Sequence, residues 1–458
     1  MNKTDLENLA DMQEAFFATH KTLDPGFRKK QLKNLQNAIL EYDLKIEDAL
    51  YIDLHKPAFE AYFETGQVLK EIRYHLRHLR SWVKPRRAAT PLFLAFARSY
   101  IVPEPYGRVL IFSPWNYPLL LLFSPLVGAI SAGNCVTLKP TGKLPALNAI
   151  LQEMFSKYFD PAYIALINGG HETAEQILSR PADYIFFTGS QQVGKKIMKI
   201  AAENLTPVTL ELGGKNPCIV HRDADIKIAA RRITWGKFIN AGQTCVAPDY
   251  ILAHNEVKEK LISEIKACMI KDYGPDFSQT ESLTQMISSA AVIRQEELMK
   301  NGKIIIGGET DVLNRIVNPT LLVVDSVEIP VMKEEIFGPV LPVSGYDHLE
   351  EVYRISSQTP NPLSLYIFTK DRRVEKEIIQ NIASGNVAIN DTVVQFSNLH
   401  LPLGGKRQSG IGRYHGYYSF ETFSHLRSFL RKRIHPDIPL RYLPYTPAKN
   451  KLLRKFLR

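Results

Sequence analysis

The feature that most constrains the fold of this chain is a regular alternation of short apolar runs and helical stretches that begins near Tyr106. The apolar runs predict buried strands at 109–112, 135–138, 164–167 and 184–187. Helical patterns such as 146–159 and 193–202 separate these runs. Strand, helix and strand with short connections indicate a parallel sheet with helices on both faces, which is the doubly wound α/β class.

Polar or glycine-containing loops follow three of the predicted strands, at 114–116, 139–140 and 188–190. In open parallel sheets, ligands bind beyond the carboxyl ends of the strands. The segment from Gly189 to Gly194 also opens a helix directly after a strand, where glycine permits close backbone approach and the helix N-terminus favours a pyrophosphate. Since this segment does not match GxGxxG, the three loops together, rather than this one alone, predict a cofactor cleft.

Cys245 and Glu211 are the residues that indicate chemistry. Cys245 follows Gly242-Gln243-Thr244, a polar turn that can present sulfur to a cleft, and it lies 34 residues after Glu211. Glu211 ends an apolar stretch and precedes two glycines. A thiol nucleophile and a carboxylate base can together form and then hydrolyse a thioester. Most free cysteines are only buried structural residues, so the pair is more informative than the cysteine alone.

Five short motifs follow one another along the chain: PWNYP at 114–118, FTGS at 187–190, ELGGK at 211–215, GQTC at 242–245 and EEIFGP at 334–339. In order and spacing they resemble the signatures of the aldehyde dehydrogenase superfamily. The short length and the segments at 401–405 (LPLGG), 409–410 and 414–416 resemble its class 3 branch. The resemblance covers nearly the whole chain. It implies an α/β fold with two doubly wound parallel-sheet domains and a small oligomerisation extension, which in the family joins two copies into a homodimer.

The resemblance implies NAD(P)-dependent oxidation of aldehydes to carboxylic acids, with medium- or long-chain aliphatic or aromatic aldehydes as substrates. Cys245 would attack the carbonyl carbon, and Glu211 would activate the water that hydrolyses the thioester. Asn116 would donate to the oxygen that gains charge, a contribution typically worth roughly 100- to 1000-fold in rate. The alternatives are a solvated carboxylate at the end of a strand for Glu211 and an Asx-turn before Pro118 for Asn116.

The residues that the resemblance assigns to NAD or NADP are Trp115, Lys139, Gly189, Ser190, Val193, Gly194, Glu335 and Phe337. Glu335 resembles the residue that holds the nicotinamide ribose, and Phe337 its packing partner. Tyr117 and Trp235 are expected to line the path of the aldehyde, although both can equally be core aromatics.

One motif departs from the family pattern and bears on the choice of cofactor. Many members have Lys-Pro-Ser-Glu, whose Glu binds the adenosine ribose hydroxyls, whereas this chain has Lys139-Pro140-Thr141-Gly142. Without a carboxylate at 142, repulsion of a 2′-phosphate falls and Lys139 can attract it. We therefore expect NADP to be accepted as well as NAD. A preference for NAD above about 1000-fold (~4 kcal/mol) would contradict this expectation. Leu403, where the family motif has Phe, is expected to alter the substrate pocket slightly.

The expected domain organisation follows from these patterns. Residues 1–210 form the NAD(P)-binding domain, beginning with about 85 helical residues, and 82–104 contribute in part to the extension. Residues 211–391 form the catalytic domain, 392–430 a return segment with an oligomerisation strand, and 431–458 a basic tail. Within the extension, residues 98–104 are expected to pair with a strand near 417–430.

Cysteine usage and hydropathy favour a cytoplasmic enzyme without a metal. The cysteines are Cys135, Cys218, Cys245 and Cys268. They form no CxxC pair and have no zinc-like spacing, which predicts neither a disulfide framework nor a metal site. Residues 1–23 lack the apolar core of a secretory signal. The segment 109–138 carries no charge over 30 residues, but prolines and glycines interrupt it, which favours buried core over a membrane span.

The formal charge of +10 is concentrated at the C-terminus. Residues 431–458 contain nine Lys or Arg and one Asp, a net +8, which leaves +2 for the rest of the chain. Such a tail indicates an acidic partner or surface rather than nucleic acid. Apolar residues at helical spacing in 451–458 leave two interpretations open. One is a peripheral membrane anchor, and the other is a helix docked on the enzyme body or on a partner subunit.

Three other functions remain as alternatives. An acyl-transferring dehydrogenase would pass the acyl group to coenzyme A or phosphate, but it does not need a water-activating base such as Glu211. A non-catalytic scaffold could use the basic tail for docking, but it would not need Cys245, Glu211 and Asn116. A cysteine hydrolase needs a His base, and no His lies near these motifs. The identity of the physiological aldehyde is left open by the sequence.

Overall fold

The computed structural model describes residues 3–277, 280, 283–437 and 439–457. The helices are α1 (Lys3–Ala18), α2 (Pro25–Leu54), α3 (Ala58–Trp82), α4 (Pro118–Ala132), α5 (Pro145–Tyr158), α6 (His171–Leu178), α7 (Gln191–Glu203), α8 (Ile226–Phe238), α9 (Asn255–Tyr273), α10 (Ser289–Met299), α11 (Pro330–Lys333), α12 (Leu349–Gln358), α13 (Arg372–Asn381), α14 (Tyr417–Thr422) and α15 (Pro447–Leu457). The strands are β1 (Arg86–Ala88), β2 (Ala97–Pro105), β3 (Arg108–Phe112), β4 (Cys135–Lys139), β5 (Ile164–Leu166), β6 (Tyr184–Thr188), β7 (Val208–Glu211), β8 (Pro217–Val220), β9 (Tyr250–His254), β10 (Lys303–Ile306), β11 (Thr310–Asp311), β12 (Ile316–Val317), β13 (Thr320–Val323), β14 (Val340–Tyr346), β15 (Ser364–Phe368), β16 (Asn386–Ile389), β17 (Gly410–Ile411) and β18 (Ser424–Lys432).

The first sheet has the strand order β17-β7-β6-β3-β4-β5. Its strands are parallel from β7 to β5, and the short β17 joins the β7 edge antiparallel. The four strands predicted from apolar runs are β3, β4, β5 and β6, and this prediction is confirmed. Along the chain, β3, β4 and β5 follow one another towards one edge of the sheet, and β6 then lies on the other side of β3. The strand order therefore reverses between β3 and β6, where a ligand crevice is expected.

The second sheet has the order β10-β13-β14-β9-β8-β15-β16. It is parallel apart from β10, which pairs antiparallel with β13 at one edge. Two parallel sheets covered by helices confirm the predicted fold class. β7 belongs to the first sheet and ends at Glu211, one residue past the boundary expected at 210. The domain boundaries themselves stay predictions.

A third sheet is the small antiparallel extension β1-β2-β18. Arg98 lies opposite Arg431, and Glu104 lies opposite His425, which confirms the expected pairing of the two segments. The later strand begins at Ser424 rather than near 417, because the preceding residues form α14. The aromatic rings of that helix pack against Trp82, at 5.4 Å and 5.5 Å between ring centroids.

The uncharged segment 109–138 lies in the core, as predicted. It forms most of β3, then α4 and most of β4, and every residue of α4 is buried. In the described part of the chain, none of the helices is both long and apolar enough to cross a bilayer. The C-terminal helix α15 is exposed over its described side chains, apart from the half-buried Lys449. Arg458, the last residue of the predicted helix, lies outside the described residues.

Candidate active site

Cys245 follows a turn whose backbone is unusual for the residues that form it. Asn240, Ala241 and Gly242 have consecutive φ values of 55°, 52° and 69°. These values lie in the left-handed region that glycine tolerates and that other residues adopt at a cost. A Cβ at Gly242 would also lie 2.3 Å from a neighbouring carbonyl oxygen. The Asn240 N–H donates to the Glu60 carboxylate at 3.0 Å, which helps to hold the turn.

The Cys245 side chain is half-buried, and its thiol keeps its proton at neutral pH. Burial is the main cause that raises the thiol pKa to about 12, and the charges of Glu335 and Glu211 raise it further. The backbone N–H groups of Cys245 and Val246 act in the opposite direction because they favour the thiolate. The sulfur therefore becomes a strong nucleophile only when its proton is removed.

Glu211 is the last residue of β7, and its carboxyl group is buried. Its Oε1 has no hydrogen-bond partner among the residues that the structure describes. Burial raises the pKa of this carboxyl well above its usual range. The backbone around it is well held, since its carbonyl accepts from Gly189 N–H at 3.0 Å. Because the pKa is raised, the ionised form of this carboxyl is a stronger base than an ordinary carboxylate, and its unpartnered oxygen is suited to taking a proton from water.

Asn116 lies in the loop between β3 and α4, and its side chain is directed towards the Cys245 turn. One N–H of its Nδ2 group donates to the Gln243 carbonyl at 2.9 Å. The backbone carbonyl oxygen of Asn116 accepts from Lys56 Nζ at 2.8 Å and from Asn240 Nδ2 at 3.1 Å. Since an amide nitrogen carries two N–H groups, the second one remains able to donate to a bound oxygen.

One cavity of about 230 Å³ brings the three candidate catalytic residues together. It lies at the reversal of strand order, since its lining includes residues of the loops that follow β3 and β6. The residues predicted from the sequence that line it are Trp115, Asn116, Gly189, Ser190, Glu211, Cys245, Glu335 and Phe337. A thiol, an unpartnered carboxyl and an amide donor therefore face one space.

A model of the aldehyde dehydrogenase family matches residues 1–429. The chain belongs to the aldehyde dehydrogenase family. It is 43% identical to the 4,4'-diaponeurosporen-aldehyde dehydrogenase of Staphylococcus aureus (strain NCTC 8325 / PS 47), over 97% of each chain. It is 41% identical to human aldehyde dehydrogenase family 3 member B1, over 98% of this chain and 96% of that protein. A solved structure, the substrate-bound state of Staphylococcus aureus AldH, has a TM-score of 0.96 and 42% identity, and the match covers 99% of each chain.

This aldehyde dehydrogenase is an oxidoreductase that uses NAD or NADP. The described residues of the cleft fit such a cofactor. The side chain of Glu335 fills the space next to Gly213. A Cβ on residue 213 would lie only 2.2 Å from Glu335 Oε1. The buried Thr188 Oγ1, in the same cavity, has no partner in the described part of the chain and is free to bond a ligand. The Trp115 and Phe337 rings meet edge to face at 5.7 Å.

Glu335 is held in this aldehyde dehydrogenase by the loop after β7. Its Oε1 accepts from the Gly214 N–H at 3.2 Å. Burial, with the neighbouring Asp249 charge, raises its pKa to about 8. At neutral pH the carboxyl is therefore largely neutral, so that it can both donate and accept hydrogen bonds.

Three predicted cofactor residues lie outside the cavity. Lys139 ends β4, and its Nζ donates to the carbonyls of Pro140 and Gly169, both at 2.7 Å. Burial lowers its pKa to about 8. Val193 and Gly194 lie in the first turn of α7, where Ser190 caps the helix by accepting from Val193 N–H at 3.4 Å. A Cβ at Gly194 would lie 2.8 Å from a leucine methyl group, so glycine allows the helix to pack closely.

A second cavity, of about 40 Å³, also reaches Cys245. Its lining is mostly apolar and aromatic and consists of Tyr117, Leu120, Leu121, Thr244, Cys245, Val246, Phe396, Leu403, Tyr414 and His415. The Tyr117 hydroxyl lies 2.8 Å from Thr244 Oγ1, which places its ring beside the nucleophile. Cys245 thus stands at the junction of a polar cleft and an apolar pocket.

The structure does not bring Trp235 to this pocket. Trp235 lines a different groove of about 690 Å³, with Phe59, Ile228 and Ile239 among its neighbours. The ring is 37% exposed and lies on the surface-facing part of α8. The rotation of a helix about its axis decides which cavity each side chain reaches, and the sequence pattern around 235 did not resolve it.

Several site residues had no predicted role. Thr188 lies inside the FTGS motif, and its position between an apolar strand and Gly189 was an available signal. Tyr414 and His415 were noted only as family-like residues, although they line the pocket at Cys245. Burial lowers the pKa of His415 to about 4, so its ring is neutral. Among the described residues, no group of three or more His, Cys, Asp or Glu side chains is placed to hold a metal ion.

Proposed function

We propose that this enzyme oxidises hydrophobic aldehydes to carboxylic acids through a thioester on Cys245, with Glu211 as the water-activating base and Asn116 as the oxyanion donor. The observation that carries the proposal is that these three groups line one cavity. Thiol, base and amide donor are the groups needed for attack on a carbonyl, stabilisation of the oxyanion and hydrolysis.

In the first step, the Cys245 thiol gives its proton to solvent water and the sulfur bonds to the aldehyde carbon. The carbonyl oxygen gains negative charge, and the second N–H of Asn116 Nδ2 donates to it. The backbone N–H of Cys245, which already favours negative charge at this site, assists. The product is a thiohemiacetal, whose carbon can lose hydride.

The chemistry that NAD(P)+ supplies in this cleft is acceptance of that hydride, and Trp115, Ser190, Glu335 and Phe337 are the residues that would hold it. Lys139, Val193 and Gly194 are proposed to contact its more distant parts. Loss of hydride converts the thiohemiacetal into a thioester. The ionised Glu211 carboxylate then removes a proton from water through its Oε1, and the hydroxide oxygen bonds to the thioester carbon. The carbon–sulfur bond breaks, the sulfur takes the proton from Glu211, and the carboxylic acid and the thiol are released.

The substrate class is proposed from the apolar pocket. Leu120, Phe396 and Leu403 offer hydrophobic contact next to Cys245, and no charged side chain lines that cavity among the described residues. We therefore propose medium- or long-chain aliphatic or aromatic aldehydes. The Staphylococcus aureus relative is named for an aldehyde, 4,4'-diaponeurosporen-aldehyde, and this likeness supports an aldehyde substrate for this enzyme.

Formation of NADH or NADPH over one turnover tests the mechanism. Octanal and benzaldehyde are supplied without coenzyme A or phosphate, to the wild type, Cys245→Ala and Glu211→Gln. The wild type should turn over repeatedly, and Cys245→Ala should form no reduced cofactor. Glu211→Gln should form about one equivalent and then stall at the thioester. Full activity of folded Cys245→Ala would overturn the proposal, and a wild type that turns over only after an acyl acceptor is added would favour the acyl-transferring alternative.

We also propose that the enzyme is a homodimer joined through the small antiparallel sheet. β18 is its edge strand. On its outer side, its backbone groups pair with no other strand among the described residues, and Leu426, Phe429 and Leu430 are exposed. Leu430→Lys should lower the mass in solution, measured by light scattering, from two chains to one. Leu313→Lys, at an exposed leucine elsewhere, is the matched control and should stay dimeric.

For the C-terminal tail we propose peripheral contact with an anionic membrane surface, in a cytoplasmic enzyme. Leu443, Tyr445, Leu452 and Leu453 are exposed between the basic residues, which suits an interfacial helix better than one docked on the body. Deletion of 447–458 should abolish sedimentation with phosphatidylserine vesicles and leave aldehyde oxidation unchanged. Neutral phosphatidylcholine vesicles are the control. Failure of the full chain to bind anionic vesicles would favour contact with a partner subunit.

A further inference from the structure

Lys56 and Glu64 form an ion pair whose side chains are both completely buried. Lys56 lies between α2 and α3, and Glu64 lies two turns into α3. Lys56 Nζ is 2.5 Å from Glu64 Oε1, and neither side chain has any exposed surface. Taking two charges out of water is costly unless further hydrogen bonds satisfy them, so the partners of this pair indicate what it does.

Among the described residues, the remaining side-chain hydrogen bonds of the pair go to the loop that carries Asn116 and to the first turn of α4, which follows it. Lys56 Nζ donates to the Asn116 carbonyl oxygen at 2.8 Å. Glu64 Oε2 accepts from the backbone N–H groups of Leu119 and Leu120, at 3.0 Å and 3.2 Å. These are orphan donors in the first turn of α4, which a carboxylate satisfies well. The ion pair therefore forms hydrogen bonds with the backbone on both sides of Tyr117.

Tyr117 itself is also in contact with the pair. Lys56 Nζ lies 4.6 Å from the centre of the Tyr117 ring, in a cation–π arrangement. The Tyr117 hydroxyl in turn lies 2.8 Å from Thr244 Oγ1, next to the nucleophile. One ammonium group thus contacts both loop residues that face the substrate.

The Asn116 side chain depends on how its backbone is held. Its Nδ2 group donates to the Gln243 carbonyl, and Asn240 Nδ2 donates to the same carbonyl at 3.2 Å. Asn240 Nδ2 also reaches the Asn116 carbonyl, so the loop and the Cys245 turn share a set of bonds. Lys56 supplies the only charged group bonded to the Asn116 backbone among the described residues.

We infer that Lys56, neutralised and held by Glu64, is a positioning residue that sets the Asn116 amide for donation to the reacting oxygen. The inference rests on the proposed role of Asn116 and adds a residue that no sequence motif contains. Lys56 touches neither substrate nor cofactor in this scheme. We expect its effect on the reaction to pass through the Asn116 loop.

A mutant cycle with Asn116 separates positioning from a purely structural role. The double variant Lys56→Met/Glu64→Gln removes both charges of the pair, so neither charge is left buried without its partner. The amide oxygen introduced at 64 can still accept from the N–H groups in the first turn of α4. This change is made with Asn116 present and in an Asn116→Ala background. The readouts are the single-turnover rate of NADH formation with octanal, the KM for NAD, and thermal unfolding. The exposed pair Lys45 and Glu153, 3.0 Å apart, receives the same substitutions as a matched control.

With Asn116 present, loss of the pair should slow NADH formation by roughly 10- to 100-fold, within the range for a weakened oxyanion donor. The KM for NAD should change by less than about 3-fold. In the Asn116→Ala background the same loss should cost less than about 3-fold, because a residue that acts through another is not additive with it. The control pair should change neither rate.

Equal losses in both backgrounds, or an unchanged rate with Asn116 present, would overturn the inference. A near-normal rate of Asn116→Ala alone would instead contradict the proposed role of Asn116, so the two failures are distinguishable. If this double variant does not fold, Lys56→Gln/Glu64→Gln enters the same cycle. The side chain introduced at 56 is one atom shorter than that of lysine and keeps N–H donors for the amide oxygen at 64, and the same dependence on Asn116 is expected.

Discussion

The Cys245 thiol and the Glu211 carboxyl line one cavity, and both groups favour their protonated forms there. Burial is the main cause for each of them. A nucleophile that keeps its proton is protected from oxidation and alkylation until a substrate is bound. The arrangement also means that deprotonation belongs to the reaction itself and is not completed beforehand.

The reactivity of Cys245 in the free enzyme should follow its raised pKa. Since the pKa is about 12, the rate of alkylation by iodoacetamide should rise about tenfold per pH unit from pH 7 to 10 without levelling off. Mass spectrometry of the Cys245 peptide over time measures this rate, with the Cys245→Ala variant as the blank. A plateau below pH 9 would show that the thiolate is already stabilised in the free enzyme.

Gly213→Ala should weaken cofactor binding because it displaces Glu335. A Cβ at 213 would lie 2.2 Å from Glu335 Oε1, too close for the carboxyl to stay in place. We expect the KM for NAD to rise about tenfold, the cost of roughly one hydrogen bond. Gly170→Ala is the matched control, since a Cβ there meets no atom within 4 Å. Equal KM values for the two variants would argue against a cofactor role for Glu335.

Lys139→Met should reduce kcat/KM with NADP by about 10- to 100-fold, the range for a charge-assisted hydrogen bond, and with NAD by less than about 3-fold. In the wild type, the NADP-to-NAD ratio should also fall as pH rises through about 8, where Lys139 loses its charge. Initial rates with both cofactors from pH 6.5 to 9.5 measure the ratio. A variant that loses the same factor with each cofactor would contradict recognition of the 2′-phosphate.

Leu403→Phe should narrow the apolar pocket at Cys245. The cavity measures about 40 Å³, and Leu403 contributes to its lining. The larger phenylalanine side chain should lower kcat/KM for benzaldehyde by about tenfold or more and leave kcat/KM for propanal nearly unchanged. The reason is that a methylene-sized change in a hydrophobic pocket is worth about 1–3 kcal/mol of discrimination between substrates. Leu401→Phe, on the exposed side of the same segment, is the control. Uniform losses for both aldehydes would indicate that the pocket is not the substrate path.

Glu71 should make the enzyme less stable as pH rises. Its buried carboxyl accepts from the Gly416 N–H at 2.9 Å, and burial raises its pKa to about 7 from 4.5. A raised folded-state pKa means that the stabilisation is fully present below about pH 4.5 and is lost as pH rises through about 7. The loss corresponds to ~3 kcal/mol. Scanning calorimetry should therefore show Glu71→Gln gaining relative to the wild type between pH 5 and 8. A constant difference would contradict the shift.

Much of the fold could be predicted from the sequence because its strands are buried on both faces. Parallel strands of that kind are continuous apolar runs, and 109–112 or 184–187 are apolar at nearly every position. The site followed from the same rule, since the loops at 114–116 and 188–190 come directly after such strands. β17 was not predicted, because two residues, one of them glycine, carry no strand pattern.

The remaining parts of the site depend on distant contacts. Lys56 follows a helix, a place where a lysine is ordinarily solvated, and only tertiary packing brings it to Asn116, 60 residues away. Glu64 sits among helical residues that the periodicity alone cannot orient. His415 reaches the pocket from 170 residues beyond Cys245. No local sequence pattern predicts a contact between residues that lie so far apart in the chain.

The left-handed turn before the nucleophile is restrained by Glu60, which lies on a helix that precedes both large sheets in the chain. The position of the Cys245 sulfur therefore depends on the N-terminal helices, which a minimal catalytic fragment would omit. A fragment that began after residue 85 could retain every signature motif of the family and still fail to present the thiol, so the helical N-terminal region is part of the catalyst.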